Sequence, residues 1–241
     1  MHPILLKIGP LTLYTYGLCI AIAYLVGVAL AERRASSEGI EKRFIIDLAL
    51  VTFLFGLVGS RLFCIFFDLK HYLSYPSDIL GRAGFVWQGA LVFGIISGIF
   101  YVKKRGYPVL QITDIVFPSI ALGESIGRWG CFFNGCCYGK PTDSIFEVVF
   151  PHLPMAVHPT QLYLSGANFI LFLFLIRIKP RFTGAIFFAY LIGYSSIRFF
   201  IDFLRGDSAE VLFFLKVTQF ISLATIIVAI FFIKRCRRAN F

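Results

Sequence analysis

Seven long apolar stretches, separated by polar and charged clusters, divide the chain at about 11–31, 44–67, 85–102, 112–133, 160–176, 182–204 and 211–233. Most reach the ~20 residues that a helix rising 1.5 Å per residue needs to cross a hydrocarbon core about 30 Å thick. Those at 85–102 and 160–176 are shorter, and predict helices that tilt differently or borrow flanking residues. The fold class expected is therefore all-α. It is an integral membrane protein of about seven transmembrane helices, one polytopic membrane domain over 1–241. No separate soluble domain, internal repeat or low-complexity tract interrupts the pattern. The first stretch starts too late and runs too long for a simple signal peptide, and no small-residue cleavage site follows it.

Composition agrees: 58% of residues are hydrophobic and the mean hydropathy is +0.81, above the ~45–50% apolar content of soluble domains. The charges set an orientation. Arg33, Arg34, Lys42 and Arg43 follow the first stretch, Lys103, Lys104 and Arg105 the third, Arg177, Lys179 and Arg181 the fifth, and Lys234, Arg235, Arg237 and Arg238 the last. The opposite side carries the sparser Lys7, Lys70, Arg82, Lys140, Arg205 and Lys216. The N-terminus is accordingly expected outside and the C-terminus in the cytoplasm. Most of the net charge of +10 is then a cytoplasmic collar facing anionic lipid heads, and no nucleic-acid partner is expected.

Three arginines interrupt the apolar stretches: Arg61, Arg128 and Arg198. A charge in the bilayer costs roughly 2.5–3.5 kcal/mol even on the lenient insertion scale, so each needs a reason. Each falls about 16–17 residues into an outward-running stretch, roughly 24–26 Å deep at 1.5 Å per residue, which is the outer leaflet. Tyr16 reaches a similar level on the inward-running first stretch. Either each arginine snorkels singly to the headgroups, or together they hold an anion, of which a phospholipid headgroup is the nearest. Tyr194, Arg198, Asp202 and Arg205 are spaced four, four and three apart, which predicts one polar stripe on a helix. Glu124 and Arg128 repeat the four-residue spacing. Both pairs fit a catalytic role or a structural ion pair that locks helices together.

The segment from Gly127 to Thr142, rich in glycine and containing Gly127-Arg128-Trp129-Gly130, is expected to be a loop whose glycines admit tight turns and close approach to a ligand. His158-Pro159-Thr160-Gln161-Leu162-Tyr163 opens the fifth stretch. Together with Tyr16-Gly17, Gly59-Ser60-Arg61 and Gly193-Tyr194 through Arg198 to Arg205, these motifs occur in an order that resembles the bacterial phosphatidylglycerol–prolipoprotein diacylglyceryl transferase family over essentially the whole chain. The resemblance implies a transferase of the bacterial plasma (inner) membrane. Its partners would be phosphatidylglycerol, lipobox-containing preproteins and membrane lipids, with no cofactor and no metal. It would move the diacylglyceryl group to the lipobox cysteine thiol, and glycerol phosphate would leave. Family importance carries onto Tyr16, Arg128, Asn134, Gly139, Tyr194 and Arg198. The expected catalytic set is Arg128, Arg198, Tyr194, Glu124 and Asp202; the expected substrate-binding set is Tyr16, Arg61, Asn134, Gly139, His158, Gln161 and Arg205.

The chain departs from that pattern in places. The third stretch, Trp87 to Gly98, lacks the family's usual histidine. Cys131 replaces the usual asparagine, Cys136 the usual glutamate, and Asp202 stands for a usual glutamate; Glu124 is the candidate substitute for the missing acid. These changes leave open a different acceptor or a non-catalytic phospholipid-binding protein. Transport is disfavoured, since no repeats or broken helices are visible. Of the six cysteines, Cys19, Cys64 and Cys236 lie in apolar or cytoplasmic surroundings, while Cys131, Cys136 and Cys137 are expected on the outer side. Reduced thiols are the default there. A disulfide from Cys131 to Cys136 or Cys137 is the alternative, and the spacing matches no standard zinc pattern.

Overall fold

The computed structural model describes residues 3–9, 11–79, 84, 86–206, 210–212 and 215–239. Arg82, one of the charges weighed for orientation, lies outside the described residues. Eight α-helices are present among them: α1 (Thr15–Ser37), α2 (Lys42–Phe67), the short α3 (Leu69–Ser74), α4 (Trp87–Lys104), α5 (Val109–Asn134), α6 (Thr160–Leu175), α7 (Ala185–Ile201) and α8 (Val217–Ala239). Three antiparallel two-stranded ribbons join them: β1 (Ile4–Ile8) with β2 (Leu11–Tyr14), β3 (Val148–Val149) with β4 (Ala156–Val157), and β5 (Glu210–Leu212) with β6 (Leu215–Lys216).

Every apolar stretch holds one long helix; the differences lie at the ends. Leu11–Tyr14 is strand, because Gly9 at φ +57° turns the chain back and lets it pair with Ile4–Ile8. Leu215 and Lys216 likewise pair before α8 starts. Among the described residues, four helices are long and apolar enough to cross a membrane: α1, α2, α5 and the Val217–Cys236 part of α8. The apolar α6 and α7 are shorter. The chain is an all-helical integral membrane protein.

The helices form two compact units, Glu32–Ile112 and the remainder, Met1–Ala31 with Thr113–Phe241. In the first, α2 and α4 cross at Gly59 and Gly89. A Cβ on Gly89 would lie 2.2 Å from the Gly59 carbonyl oxygen, so neither position has room for a side chain. Without a hydrophobic drive in lipid, such close backbone approach is what holds two helices together. At the cytoplasmic end expected for this pair, Tyr101 stacks on Phe44 (5.6 Å) and donates to Asp47 (3.1 Å).

In the second unit the same device recurs on α5. A Cβ at Gly123 would meet the Ala23 carbonyl at 3.6 Å, at Gly127 the Ile20 side chain at 3.5 Å, and at Gly130 the Cys19 side chain at 3.1 Å. Spaced four and three apart, these glycines form one stripe against α1. Ala121, Leu171, Leu175, Ile186 and Tyr190 make a buried core shared by α5, α6 and α7. The start of α7 is fixed by a residue from another helix. Buried Asp114 of α5 accepts from the amides of Gly184 (2.7 Å) and Phe187 (2.8 Å), which otherwise would lack intrahelical partners. Gln219 of α8 donates to the Phe199 carbonyl (3.1 Å), tying α8 to α7.

Candidate active site

The site grows from α5 and α7. Glu124 and Arg128, one turn apart on α5, pair at 3.3 Å (Arg128 Nη2 donating to Glu124 Oε2), and their side chains are only 33% and 17% exposed. Tyr194 of α7 lies within electrostatic reach of Arg128, Glu124 and Arg198. Tyr190, one turn earlier, stacks on Tyr194 at 5.5 Å and fixes its ring. Arg198, in the last turn of α7, pairs with Asp202 at 3.2 Å; the Asp202 side chain is 1% exposed. Tyr16, in the first turn of α1, is half-exposed and packs on α5, where a Cβ on Gly130 would come 3.2 Å from its ring. Tyr16 is also within electrostatic reach of Arg128. Two carboxylates, two guanidiniums and two phenols thus gather in the unit that holds α1, α5 and α7. Such a set has the chemistry to hold an anion: carboxylates orient guanidinium forks and lower the cost of keeping them in a membrane.

The glycine-rich segment differs from expectation. It is helix as far as Asn134, because Gly127 and Gly130 serve the α1 contact and need no turn. The loop starts at Gly135, whose φ of +71° ends α5 in a Schellman motif. The Cys136 amide donates to the Cys131 carbonyl (3.1 Å) and the Gly135 amide to that of Phe132 (3.1 Å). Cys137 also has a positive φ, +62°, rare for a residue with a side chain. Gln161 Nε2 donates to the Cys136 carbonyl (2.6 Å) and Thr160 Oγ1 to the Cys137 carbonyl (2.8 Å), clamping the loop onto the start of α6.

Gly139 sits where three chain segments meet. Its amide donates to the His158 carbonyl (2.8 Å), it bridges Arg205 through the backbone, and a Cβ there would lie 2.6 Å from the Leu204 carbonyl oxygen. Arg205 therefore leaves the predicted stripe. α7 stops at Ile201, and pairing of Leu204 and Arg205 with Gly139 and Lys140 pulls the chain off the helical path. The Arg205 carbonyl accepts from the buried Lys216 Nζ. Asn134 is exposed at the end of α5, and His158 Nδ1 lies 3.4 Å from the Tyr163 hydroxyl. Arg61 belongs to the other unit. Its guanidinium donates to the Gly84 carbonyl (3.0 Å) and the Asp78 carbonyl and covers the Tyr72 ring at 5.5 Å.

One polar stripe escaped notice in the sequence. Gln161, Ser165 and Asn168 are spaced four and three apart on α6 and all are buried. Ser165 donates to the Ser125 carbonyl of α5 (2.8 Å), and both side-chain polar atoms of Asn168 lack a hydrogen-bond partner among the described residues. An amide seven residues after Gln161 inside an apolar stretch was the available signal. The sulfurs of Cys131, Cys136 and Cys137 lie within 4.8 Å of one another, and all six cysteines are free. Hydrogen bonds from Cys131 and Cys137 hold the Cys136 thiol below the usual thiol pKa.

Known proteins match most of this chain. A phosphatidylglycerol–prolipoprotein diacylglyceryl transferase of Clostridium tetani (strain Massachusetts / E88) is 40% identical over 240 residues, spanning 96% of each chain. Proteins of the same name from Parasynechococcus marenigrum (strain WH8102) and Staphylococcus aureus (strain MSSA476) are 38% and 34% identical, over 85% and 95% of this chain and 80% and 87% of theirs. The family model described as prolipoprotein diacylglyceryl transferase matches residues 3–235, and the chain belongs to that family.

Proposed function

We propose that this chain transfers the diacylglyceryl group of phosphatidylglycerol to the lipobox cysteine thiol of exported prolipoproteins. The observation that carries this is the gathering of Arg128, paired with Glu124, and Arg198, paired with Asp202, around Tyr194. The thiolate attacks the diacylglyceryl carbon that carries the phosphate ester, a thioether forms, and the bond from that carbon to the phosphoester oxygen breaks. The phosphodiester, with one negative charge, departs as a glycerol phosphate with two. Charge thus grows on the phosphate oxygens, where a planar guanidinium grips bidentately and stabilises it most. Arg128 and Arg198 take that role. Glu124 and Asp202 orient them, and Tyr194 donates to a phosphate oxygen. Tyr16 and Asn134 line the approach of donor and acceptor. Gly139, His158, Gln161 and Arg205 shape the loop floor on which the substrates sit. Incubating the purified protein with headgroup- and acyl-labelled phosphatidylglycerol and a lipobox peptide is expected to give a thioether product and free glycerol phosphate, with none from the Cys→Ser peptide. Product from neither donor label sinks the proposal.

The same proposal takes all seven long helices as membrane spans of a bacterial plasma-membrane protein, with the N-terminus outside and the site in the outer leaflet. The basic residues at the C-terminal ends of α1, α4 and α8 and just after α6 support that orientation. A cysteine placed at Lys103 is expected to react with an impermeant thiol reagent only from the cytoplasm, and one at Lys140 only from outside. Reversed labelling moves the site to the wrong leaflet for exported substrates.

A further inference from the structure

The end of α5 gathers three thiols by local geometry. In a Schellman motif the side chains of the third-last helical residue and of the second residue past the cap come together, normally as a hydrophobic contact. Here those two positions are Cys131 and Cys136. Cys137 follows in the left-handed conformation, a strained choice for a residue with a Cβ, and that turn brings its sulfur back to the other two. The strain persists because Thr160 and Gln161 clamp the Cys137 and Cys136 carbonyls. The three sulfurs lie within 4.8 Å of one another. Ligand sulfurs on a tetrahedral zinc ion, each 2.3 Å from the metal, stand about 3.8 Å apart, so a modest contraction closes the site. Adjacent cysteines match no standard zinc spacing, and the convergence depends on a backbone torsion that spacing does not reveal. No histidine or carboxylate joins the three sulfurs among the described residues.

We propose that Cys131, Cys136 and Cys137 hold a thiophilic divalent cation of the zinc class, and that its fourth, open position takes the acceptor thiol. This rests on the transferase reading for the identity of that thiol. Arg128 precedes Cys131 by three residues and shares its face of α5, and Tyr16 packs beside Gly130, so the thiol cluster lies one helical turn from the arginine proposed to bind the phosphate. A metal with three protein ligands and one exchangeable position is the arrangement of catalytic rather than structural zinc. Coordination removes the thiol proton, which passes to solvent, and leaves a bound thiolate at neutral pH. That thiolate forms the carbon–sulfur bond as the carbon–oxygen bond breaks, and the electron pair leaves with glycerol phosphate. The metal is neither oxidised nor reduced, and no other reactant is needed. The three thiols stand beside the site of a thiol alkylation, where this chain has cysteine in place of the family's usual asparagine and glutamate.

The test reads the metal apart from turnover. Full-length protein, purified in detergent without chelator, is loaded with cobalt(II) as a spectroscopic substitute. Sulfur-to-cobalt charge-transfer absorption is expected at about one ion per chain. Each of Cys131→Ser, Cys136→Ser and Cys137→Ser is expected to weaken binding about tenfold or more, while Cys19→Ser and Cys64→Ser leave it unchanged. Without any variant, zinc is expected to protect the same three thiols from alkylation, read by peptide mass spectrometry. Adding a lipobox peptide is expected to intensify the cobalt–sulfur band, and its Cys→Ser counterpart to leave it unaltered. Absence of the band, a disulfide among the three in protein isolated aerobically, or indifference of the band to the peptide thiol overturns the proposal. Peptide-dependent cobalt binding with no thioether product from phosphatidylglycerol overturns the transferase reading and leaves the metal site standing. Transfer that survives quantitative metal removal overturns the metal's role and leaves the transferase reading intact.

Discussion

Arg128→Lys is expected to lower diacylglyceryl transfer by at least about a hundredfold, the usual cost of losing one donor aimed at developing charge. Arg128 has three demands on one planar fork: Glu124 at 3.3 Å, the nearby Tyr194 hydroxyl and, as proposed above, the phosphate of the donor. Lysine keeps the charge but presents a point donor on a flexible stem, and cannot hold a carboxylate and two phosphate oxygens in one plane. The loss should fall mainly on kcat, because the leaving phosphate carries more charge in the transition state than bound phosphatidylglycerol does. Arg198→Lys is expected to behave likewise. Transfer rates are measured at saturating peptide, with thermal unfolding in detergent as a control on folding. Rates within about threefold of wild type, in protein of unchanged stability, show that these arginines only snorkel or lock helices.

Asp202→Ala is expected to act first on folding. The Asp202 carboxylate is almost wholly enclosed and faces Arg198 at 3.2 Å. Removing one member of a buried pair strands the other, at a typical cost of about 3–5 kcal/mol. The variant should unfold at a clearly lower temperature and transfer little. Asp202→Glu, which installs the carboxylate the family usually carries, should regain both. The double variant Arg198→Leu with Asp202→Leu separates the two roles. It removes both charges, so stability should return while transfer does not. If stability and activity return together, the pair is structural and Arg198 does not touch the phosphate.

Hydropathy located the helices well because a lipid-facing helix must be apolar over its whole length, and the polar breaks between stretches are equally obligatory. It misjudged Leu11–Tyr14 because a short apolar ribbon and the first turn of a helix look alike in composition. The i,i+4 spacing that joined Glu124 to Arg128 and Arg198 to Asp202 held, since both pairs lie on a helix or at its cap. Extending the count to Arg205 failed because the end of α7 is set by pairing with Gly139, more than sixty residues earlier, which no local count senses. The thiol cluster was hidden for a related reason: it depends on one left-handed torsion at Cys137. Asn168 passed unnoticed since a single amide hardly lowers the hydropathy of α6, although its buried and unpartnered atoms make it conspicuous in three dimensions.

The Asp114 contact with α7 has a consequence for metrology inside the bilayer. Asp114 pins the amide of Gly184, and Arg128 and Arg198 each stand fourteen residues further along their own helices. At 1.5 Å per residue both arginines are carried about 21 Å from a common origin. One carboxylate near one end of the two helices therefore acts as the zero mark of a pair of rulers of equal residue length, one ending at each arginine. Any slippage at that mark reads out, undiminished, as a height difference between the two groups proposed to close on a single phosphate.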